Sequence, residues 1–446
     1  MRRVAALLLL ALAPGEAVAA TNLIVIVIDA LRADHLSSYG YARPTSPKLD
    51  AFAARAVRFT RAMAPSNRTC SSMPSIWTGL LPSRHGVLDR RDVLAERFAT
   101  AAELLRARGY RTGAWCPNPS LDRAFGLAQG WDVYETDFEA AAGGERTWQA
   151  HETASVINAR ALAFVDATRE RPFLLWLHYR DVHGPYLPPP PYDTVFHAPA
   201  PRPLSPAEVR ARPGYLTLPG DADDLEYYVA RYDGGIRYTD ERVAQLLAEL
   251  GRRGVLERSV VVVTADHGEA FLEHRQWNHG VSLYEEEVHV PLIIARPGDA
   301  PRVVDHVVST LDLFPTLLEL AGATPPETDG ESLVPLLAGQ AAAYRRRRAA
   351  AEARVLGDEH RRLQRAIREH DWKLLDNGFT PKPRLFDLAS DPQERHDRSA
   401  DEPERAAALA GEMRALAARA AGAPPAEAKS LGGSLKRRLE ALGYVD

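Results

Sequence analysis

The sequence predicts an α/β fold in which helices cover both faces of a mainly parallel β-sheet. Three runs rich in Val, Ile and Leu, at 22–28, 172–179 and 259–265, have the length of strands but do not alternate with polar residues. Such runs are typical of parallel strands that are buried on both faces. Segments with helical spacing separate the runs, and this alternation indicates a doubly wound domain.

The other elements of this domain are predicted from local patterns. In chain order they are a helix over 46–64, a helix and a strand within 101–116, a long helix over 228–255, a strand within 289–298 and a helix within 308–323. A proline-rich segment, 183–220, interrupts this order and predicts a long irregular loop. Loops of that length in compact domains are usually functional or mobile.

A smaller C-terminal subdomain is predicted from residue 342, because the composition changes near Ala341. Two segments there indicate antiparallel strands and two indicate helices, and these are 362–377 and 381–390 for the strands and 402–421 and 435–446 for the helices. The predicted organisation is a leader at 1–20, the main α/β domain at 21–341 and the subdomain at 342–446.

The first 20 residues have the features of a secretory signal peptide. Two arginines precede a short apolar run, and small residues surround Ala17–Val18–Ala19. The run is too short to span a bilayer, and no other stretch of the sequence resembles a transmembrane segment. We therefore expect cleavage near Ala19 or Ala20 and a secreted or periplasmic mature protein.

The composition argues against some classes of function. The formal net charge is -4, with 26% charged and 46% hydrophobic residues, which is ordinary for a globular protein. A nucleic-acid partner is therefore not indicated. The two cysteines, Cys70 and Cys116, are too few for a disulfide framework, although export permits a single bridge between them.

Polar residues follow the predicted strands at the edge where α/β sheets bind ligands. Asp29 follows the first apolar run, Asp266 and His267 follow the third, and His183 lies in the loop after the second. Carboxylate and imidazole groups suit a divalent metal ion. The alternative, that Asp266 caps a helix and His267 is a satisfied polar residue, stays open at this level.

The segment RTCSSMPSIWTG, at 68–79, concentrates reactive side chains. It holds five hydroxyls, a thiol and an arginine in twelve positions. A buried segment needs a partner for every polar group, so one of these groups is a candidate nucleophile. Thr69, Cys70, Ser71 and Ser72 are the candidates, and the segment alone does not choose among them.

Eight motifs follow one another over nearly the whole predicted mature chain. They are NLIVIVIDALRADHLSSYGY, TSPKLDAFA, PSIWTGLLPSRHG, GYRTGAW, HYRDVHGPY, TADHGEAFLEHRQWNHGVSLYEEEVHVPLI, LDLFPTLLELAGATPPETDGESLVPLL and WKLL…LFDLASDPQE. In this order they resemble the sulfatase family within the alkaline phosphatase superfamily. The resemblance implies a large mixed sheet flanked by helices and a smaller C-terminal subdomain with a short antiparallel sheet.

The resemblance also implies a site with one divalent metal ion. The residues that it assigns to the metal are Asp29, Thr69, Asp266 and His267. It further implies that His183 contacts the ester and protonates the leaving group, and that His279 contacts the anionic head group. Sulfate and phosphate esters react with charge on nonbridging oxygens, which a metal and two histidines would stabilise.

The choice of metal follows from a departure at the first strand end. Typical sulfatases have two successive Asp residues there, whereas Asp29 is followed by Ala30 in this sequence. Mn²⁺, Zn²⁺ and Ca²⁺ are the candidates. Because Ca²⁺ takes about 6–8 oxygen ligands, the loss of a carboxylate favours Mn²⁺ or Zn²⁺.

The nucleophile also departs from the family pattern. Sulfatases carry Cys-x-Pro-x-Arg or Ser-x-Pro-x-Arg, whose first residue becomes formylglycine, and neither motif occurs here. In the family the nucleophile lies nine residues before the Thr of a Thr-Gly pair, and counting back from Thr78 gives Thr69. Thr69 is the predicted nucleophile, and formylglycine is not expected. Catalysis by Cys70, or a capping role for Thr69, are the alternatives.

The predicted function is metal-dependent hydrolysis of a sulfate or phosphate ester on a small molecule, glycan or lipid head group. A threonine nucleophile also occurs in relatives that cleave phosphodiesters or transfer phosphoethanolamine or phosphoglycerol, which is the second interpretation. A catalytically idle binding module is the third. The candidate site residues that argue against it are Asp29, Asp266, His267, His183 and His279.

Overall fold

The computed structural model describes residues 21–136, 153–168, 171–196, 201–217, 223–354, 362–422 and 427–428. The predicted leader at 1–20 and the predicted helix at 435–446 lie outside these residues.

Strands and helices alternate along the described chain. The strands are β1 (Asn22–Ile28), β2 (Val57–Met63), β3 (Asp92–Val93), β4 (Arg111–Trp115), β5 (Val133–Glu135), β6 (Phe173–Tyr179), β7 (Ser259–Thr264), β8 (Ala270–Phe271), β9 (Trp277–Asn278), β10 (Leu292–Ala295), β11 (Arg302–Ser309), β12 (Arg348–Arg354), β13 (Leu363–Glu369), β14 (Trp372–Asp376), β15 (Arg384–Asp387) and β16 (Glu427–Ala428). The α-helices are α1 (Pro47–Ala53), α2 (Thr69–Thr78), α3 (Pro82–His85), α4 (Ala101–Ala107), α5 (Thr153–Ala167), α6 (Pro206–Ala211), α7 (Leu225–Arg252), α8 (Glu285–Val288), α9 (Leu313–Leu320), α10 (Val334–Leu337) and α11 (Pro403–Ala420). Within the described ranges, none of these helices is both long enough and apolar enough to cross a bilayer.

The central sheet has eight strands in the spatial order β11-β2-β10-β7-β1-β6-β4-β5. β1 pairs in parallel with β6 on one side and with β7 on the other. β10 is antiparallel to both of its neighbours, β7 and β2, and the other pairings are parallel. The predicted large mixed sheet flanked by helices is confirmed.

The strands at the centre of the sheet are buried on both faces. In β1, Ile24 and Ile26 belong to the core that includes α7, whereas Val25 and Val27 belong to the core that includes α2. Adjacent side chains of a strand point to opposite faces, so a run without polar residues fills both cores. Burial of each such side chain contributes about 1.5–3 kcal/mol.

Two predicted elements are wrong in part. The segment 46–64 is not one helix, because α1 ends at Ala53 and β2 begins at Val57. In β2 the buried Val57 and Phe59 alternate with the half-exposed Arg58, a period of two that indicates a strand. The segment 183–220 is also not wholly irregular, since it contains α6, which a Ser205 capping box begins.

The C-terminal strands β12, β13, β14 and β15 form a separate antiparallel sheet, as the resemblance implies. One face of this sheet packs on α11 through Leu409 and Met413. The other face shares a core with Val288 of α8 and Val307 of β11. The subdomain is therefore packed directly on the edge of the central sheet and on α8.

A buried ion cluster joins the C-terminal sheet to α8. Lys373 of β14 is completely buried, and its Nζ lies 3.0 Å from a carboxylate oxygen of Glu285 on α8 and 3.0 Å from one of Glu394. Arg368 of β13 also contacts Glu285. Removing one member of such a cluster leaves an uncompensated buried charge, which is strongly destabilising.

Candidate active site

The carboxyl ends of adjacent central strands bring together three of the predicted metal ligands. Asp29 directly follows β1, and Asp266 and His267 lie just beyond β7. One ligand atom of each residue lies within 4.8 Å of those of the other two, and all three residues are completely buried. The backbone N–H of Asp29 donates to the carbonyl of Tyr179 at 2.8 Å, so the sheet itself fixes the start of the site.

The two carboxylates have oxygens that fit a cation. Asp266 Oδ1 accepts from the N–H groups of Ala30 at 3.2 Å and His267 at 3.0 Å. Asp266 Oδ2 and Asp29 Oδ1 have no hydrogen-bond partner among the described residues. An unpaired buried carboxylate oxygen is costly. A divalent cation would remove that cost, and the mixed oxygen and nitrogen donors fit Mn²⁺ or Zn²⁺.

The pKa values of the two carboxyl groups are shifted in opposite directions, as expected for neighbouring acids. Burial opposes ionisation of Asp29, but the imidazoles of His183 and His178 outweigh it and hold the pKa of Asp29 well below its usual value. Burial and the charge of Asp29 raise the pKa of Asp266. Asp29 is thus the more acidic of the two carboxyl groups, and its Oδ1 lies 3.6 Å from His267 Nε2.

His267 and Thr69 complete this centre. His267 Nδ1 hydrogen-bonds to the carbonyl of Gly268 at 2.8 Å, which makes Nδ1 the donor and leaves a lone pair on Nε2. Thr69 Oγ1 lies 3.2 Å from that Nε2. Thr69 is the first residue of α2 and is 5% exposed. The structure therefore brings all four residues that the resemblance assigned to the metal to one point.

The other polar side chains of α2 have structural partners. Ser72 Oγ donates to the backbone carbonyl of Asp266 at 2.6 Å, and Ser75 Oγ lies 2.9 Å from His85 Nε2. Cys70 lies beside Ser71, with 3.7 Å between sulfur and hydroxyl oxygen, and burial raises the pKa of its thiol. These contacts leave Thr69 as the hydroxyl of this helix that faces the metal ligands.

The two histidines predicted to contact the ester border the same centre. The His279 ring centroid lies 4.1 Å from that of His267 and 4.9 Å from that of His183. His183 Nδ1 hydrogen-bonds to the carbonyl of Gly184 at 2.7 Å, and His279 Nδ1 lies 3.1 Å from Glu269 Oε1. Because the Nδ1 atom of His279 is engaged with Glu269, its Nε2 atom is the ring nitrogen available to a ligand.

Burial holds the pKa of both of these imidazoles below its ordinary value. Burial lowers the pKa of His183 to about 3, and the charge of Arg180 adds to this effect. Burial likewise lowers the pKa of His279, and His267 and His183 lower it further. An anion placed between the two rings would raise both pKa values, so their protonation is coupled to the arrival of a negatively charged group.

Three residues of this site were not predicted from the sequence: Asn118, His178 and Glu269. Asn118 Nδ2 donates to Asp29 Oδ2 at 2.9 Å and to Thr69 Oγ1 at 3.4 Å. His178 of β6 lies with Nε2 3.2 Å from Asp29 Oδ2. Asn118 comes soon after β4, so a search for polar residues that follow predicted strands, which located Asp29, would have found it too. His178 is the single imidazole in an apolar strand, which is also a signal.

The bridge that export would permit between the two cysteines is not formed. Cys70 and Cys116 are both free and buried in the described structure. Cys116 belongs to the core beneath α2 and α4, where burial raises the pKa of its thiol. Both side chains act here as small buried groups.

Two family models match the sequence. Residues 21–323 match the model described as Sulfatase, and residues 273–418 match the one described as N-sulphoglucosamine sulphohydrolase, C-terminal. Choline-sulfatase of Rhizobium meliloti (strain 1021) is 29% identical over 429 residues, which cover 84% of this chain and 81% of that protein. Arylsulfatase K of Mus musculus is 34% identical over 186 residues, which cover 40% of this chain and 34% of that protein. The chain thus spans about a third of the mouse relative.

Solved structures share the fold. The phosphonate monoester hydrolase of Agrobacterium radiobacter superposes with a TM-score of 0.75 at 23% identity, covering 90% of this chain and 96% of that one. A protein solved in complex with its substrate D-glucosamine-2-N,6-O-disulfate superposes with a TM-score of 0.76 at 20% identity, covering 89% and 98%. At these identities the likeness concerns the fold alone.

Proposed function

Because the chain belongs to the sulfatase family of ester hydrolases, within the alkaline phosphatase superfamily, we propose that it hydrolyses sulfate or phosphate esters through Thr69. One observation carries this proposal: the Thr69 hydroxyl lies at the N-terminus of α2, 3.2 Å from His267 Nε2. Asp29 and Asp266 lie beside it with buried oxygens that lack partners within the described chain. This arrangement suits a hydroxyl nucleophile next to a cation.

The residues that would hold one divalent cation are Asp29, Asp266, His267 and Thr69. Bound there, the ion would polarise an ester oxygen and lower the pKa of the threonine hydroxyl. The chain itself would orient the ester. The N-terminus of α2 and, once protonated, the Nε2 atom of His279 would stabilise the negative charge of the nonbridging oxygens.

The proposed reaction has two steps. Thr69 Oγ gives up its proton to solvent and attacks the sulfur or phosphorus atom, and the bond to the leaving oxygen breaks. His183, which takes up a proton from solvent when the anionic ester binds, gives that proton to the leaving oxygen. The anionic ester raises the pKa of His183 from its low value in the free protein, which enables this transfer. Water then hydrolyses the threonyl ester and regenerates the hydroxyl.

Hydrolysis is favoured over transfer to an acceptor. Choline-sulfatase and the phosphonate monoester hydrolase are named for hydrolysis of sulfate and phosphonate esters. The side chains of this site can be explained without transfer of phosphoethanolamine or phosphoglycerol to an acceptor. The predicted leader at 1–20 supports an exported enzyme, whose substrate would be a small molecule, glycan or lipid head group.

The test is a panel of an aryl sulfate, a phosphate monoester, a phosphonate monoester and a phosphodiester, each assayed with Mn²⁺, Zn²⁺ or Ca²⁺. We expect turnover of a sulfate, phosphate or phosphonate ester with at least one metal, and its loss in Thr69→Ala. Cys70→Ser is the matched control, because it changes the neighbouring side chain only. A protein that stays metal-free and inactive under all of these conditions would support the idle binding module instead.

A further inference from the structure

Glu287 is a completely buried carboxylate that the chemistry above does not use. It lies on α8, a single helical turn, and is 0% exposed. Its two oxygens accept five hydrogen bonds. Oε2 accepts from Asn67 Nδ2 at 3.0 Å and from the N–H groups of Gly280 at 2.7 Å and Val281 at 3.2 Å, and Oε1 accepts from the N–H of Ser282 at 2.9 Å and its hydroxyl at 2.7 Å.

The donors come from the two segments that carry reacting groups. Asn67 lies two residues before Thr69, and Gly280 directly follows His279. The main-chain carbonyl of Glu287 also accepts from the N–H of Gly268 at 2.8 Å. Gly268 is the residue whose own carbonyl binds His267 Nδ1. A single residue of α8 therefore contacts the segments of Thr69, His267 and His279.

The two segments also touch each other closely. Arg68, next to Thr69, donates to the carbonyl of Gly280 at 2.5 Å. A Cβ atom at Gly280, where φ is +86°, would lie 2.7 Å from Arg68 Nε. The Arg68 side chain is therefore packed against the backbone of Gly280, which links the two segments. A change in how Glu287 holds one of them would move the other.

We propose that the Glu287 carboxylate is a positioning residue that holds Thr69 and His279 in register for attack on the ester. It acts through Asn67 and the backbone of 280–282 and does not itself touch the substrate. The inference rests on the proposed function for its consequence in catalysis. Its structural part, the coupling of the two segments, is measurable without turnover.

The first experiment compares Glu287→Gln with Glu286→Gln. In Glu287→Gln an NH₂ group replaces an oxygen and faces N–H donors, so one segment loses its acceptor. Glu286 is the matched control, since it is a buried carboxylate on the same turn whose Oε1 binds His274 Nδ1 at 2.7 Å. A misplacement of about 1 Å costs about 100-fold in rate.

We expect kcat of Glu287→Gln to fall about 100-fold, with KM changed less than about threefold, at a temperature well below its Tm. Glu287→Asp keeps both oxygens and should recover part of the loss, whereas Glu286→Gln should stay near the wild-type kcat. Equal kcat in Glu287→Gln and Glu286→Gln would overturn the proposal. So would a lower Tm with an unchanged kcat, since that is the signature of a purely structural carboxylate.

Asn67→Ala provides a second route if Glu287→Gln does not fold. It keeps the carboxylate and four of its five donors, and it removes the hydrogen bonds of the Asn67 side chain to Glu287 and to the carbonyl of Ser282. Its loss of kcat should be non-additive with that of Glu287→Asp, because both act on one link. Additive losses would mean that the carboxylate does not work through Asn67.

Amide hydrogen exchange separates this inference from the proposed function. Glu287→Asp should speed exchange at both 67–72 and 280–282, and Glu286→Gln should speed neither. If the wild-type protein turned over no ester of the panel, the proposed function would fail while the exchange result still decided the coupling. Faster exchange at 280–282 alone would overturn the coupling.

Discussion

The hydroxyl of Thr69 has no substitute among its neighbours, since the other polar groups of α2 are bound elsewhere. Thr69→Ala should therefore lower kcat/KM by about 1000-fold or more, because the nucleophile and the metal ligand are lost together. Thr69→Ser keeps the hydroxyl and should retain part of the activity. Steady-state kinetics on the best ester of the panel measure both effects. Retention of more than about a tenth of kcat/KM in Thr69→Ala would show that Thr69 is not the nucleophile.

Cys70 supplies the contrasting case at the next position. Its thiol is buried, and burial raises its pKa, so the thiolate is disfavoured at pH 7. Cys70→Ser and Cys116→Ser should each leave kcat/KM within about threefold of wild type, and mass spectrometry of the peptide should show unmodified Cys70. An aldehyde at Cys70 would instead identify a formylglycine enzyme with an unusual maturation sequence.

The residues that could be foreseen are those that follow a strand in the chain. Asp29 and Asp266 were identifiable because a carboxylate directly after a buried apolar run has few structural explanations. His178 was not, because its role depends on β6 lying next to β1 in the sheet. Glu269 acts through His279, ten residues away in sequence but 3.1 Å away in space. Proximity of this kind is a property of the fold and not of the local pattern.

Among the elements, α7 approaches the loop that carries His183 closely at Gly235. A Cβ atom at Gly235 would lie 2.8 Å from the carbonyl oxygen of Asp181. Gly235→Ala should thus lower the free energy of unfolding by about 1–3 kcal/mol and lower kcat, because the loop must move. Chemical denaturation and kinetics measure the two quantities.

Gly251, on the same helix, is the control for that substitution. A Cβ atom there meets Leu256 Cδ1 at 3.6 Å, an ordinary contact. Gly251→Ala should leave kcat unchanged and raise the free energy of unfolding by up to about 1 kcal/mol, since Ala favours the helix. If Gly235→Ala and Gly251→Ala had the same effect on kcat and on the free energy of unfolding, the close contact at Gly235 would not be what positions the loop.

A second feature of α7 makes stability depend on pH. Asp240 accepts from the N–H groups of Lys48 at 3.1 Å and Leu49 at 2.6 Å at the start of α1, and burial raises its pKa from 3.8 to about 6. The folded protein therefore binds one more proton than the unfolded chain between about pH 4 and 6. The stabilisation is complete below about pH 4 and is lost as the pH rises through 6. It is on the order of 3 kcal/mol.

Asp240→Asn should abolish this part of the pH dependence. The free energy of unfolding, measured with urea at pH 4.5 and pH 7, should fall less over that interval in the variant than in the wild type. Other carboxyl groups titrate in both proteins, so the difference between the two slopes isolates Asp240. Equal slopes would show that its pKa is not raised in the folded state.

For the whole molecule, the proposed metal site joins the ends of β1 and β7 to α2. A cation that binds only the folded state adds about 2.7 kcal/mol at a concentration of 100 times its Kd. Excess Mn²⁺ should therefore raise the Tm of the wild type, and Asp29→Ala and Asp266→Ala should abolish both this rise and the turnover. Full metal occupancy in both variants, measured by elemental analysis, would place the metal elsewhere.

The architecture was largely foreseeable, because a doubly buried parallel strand leaves an unmistakable apolar run. The antiparallel position of β10 was not, since its sequence fits either direction. The predicted helix over 46–64 includes β2 because β2 begins only a few residues after α1 ends. Over so short a segment, apolar residues spaced as in a strand also fit the spacing of a helix. The division of the chain at residue 342 stays a prediction, although β12 to β15 all lie beyond it.

Lys373 makes the folding of α8 depend on when the C-terminal region is synthesised. Its ammonium group neutralises Glu285 on α8, and the same helical turn carries Glu287. Until β14 has been synthesised, that turn has a carboxylate with no cation from this strand to balance it as the interior closes. The residues around Thr69 are translated early, whereas Arg368 and Lys373, which both contact Glu285, are synthesised hundreds of residues later. The proposed ester cleavage would accordingly begin only after β14 has been synthesised, so a product shortened before β14 would be inactive.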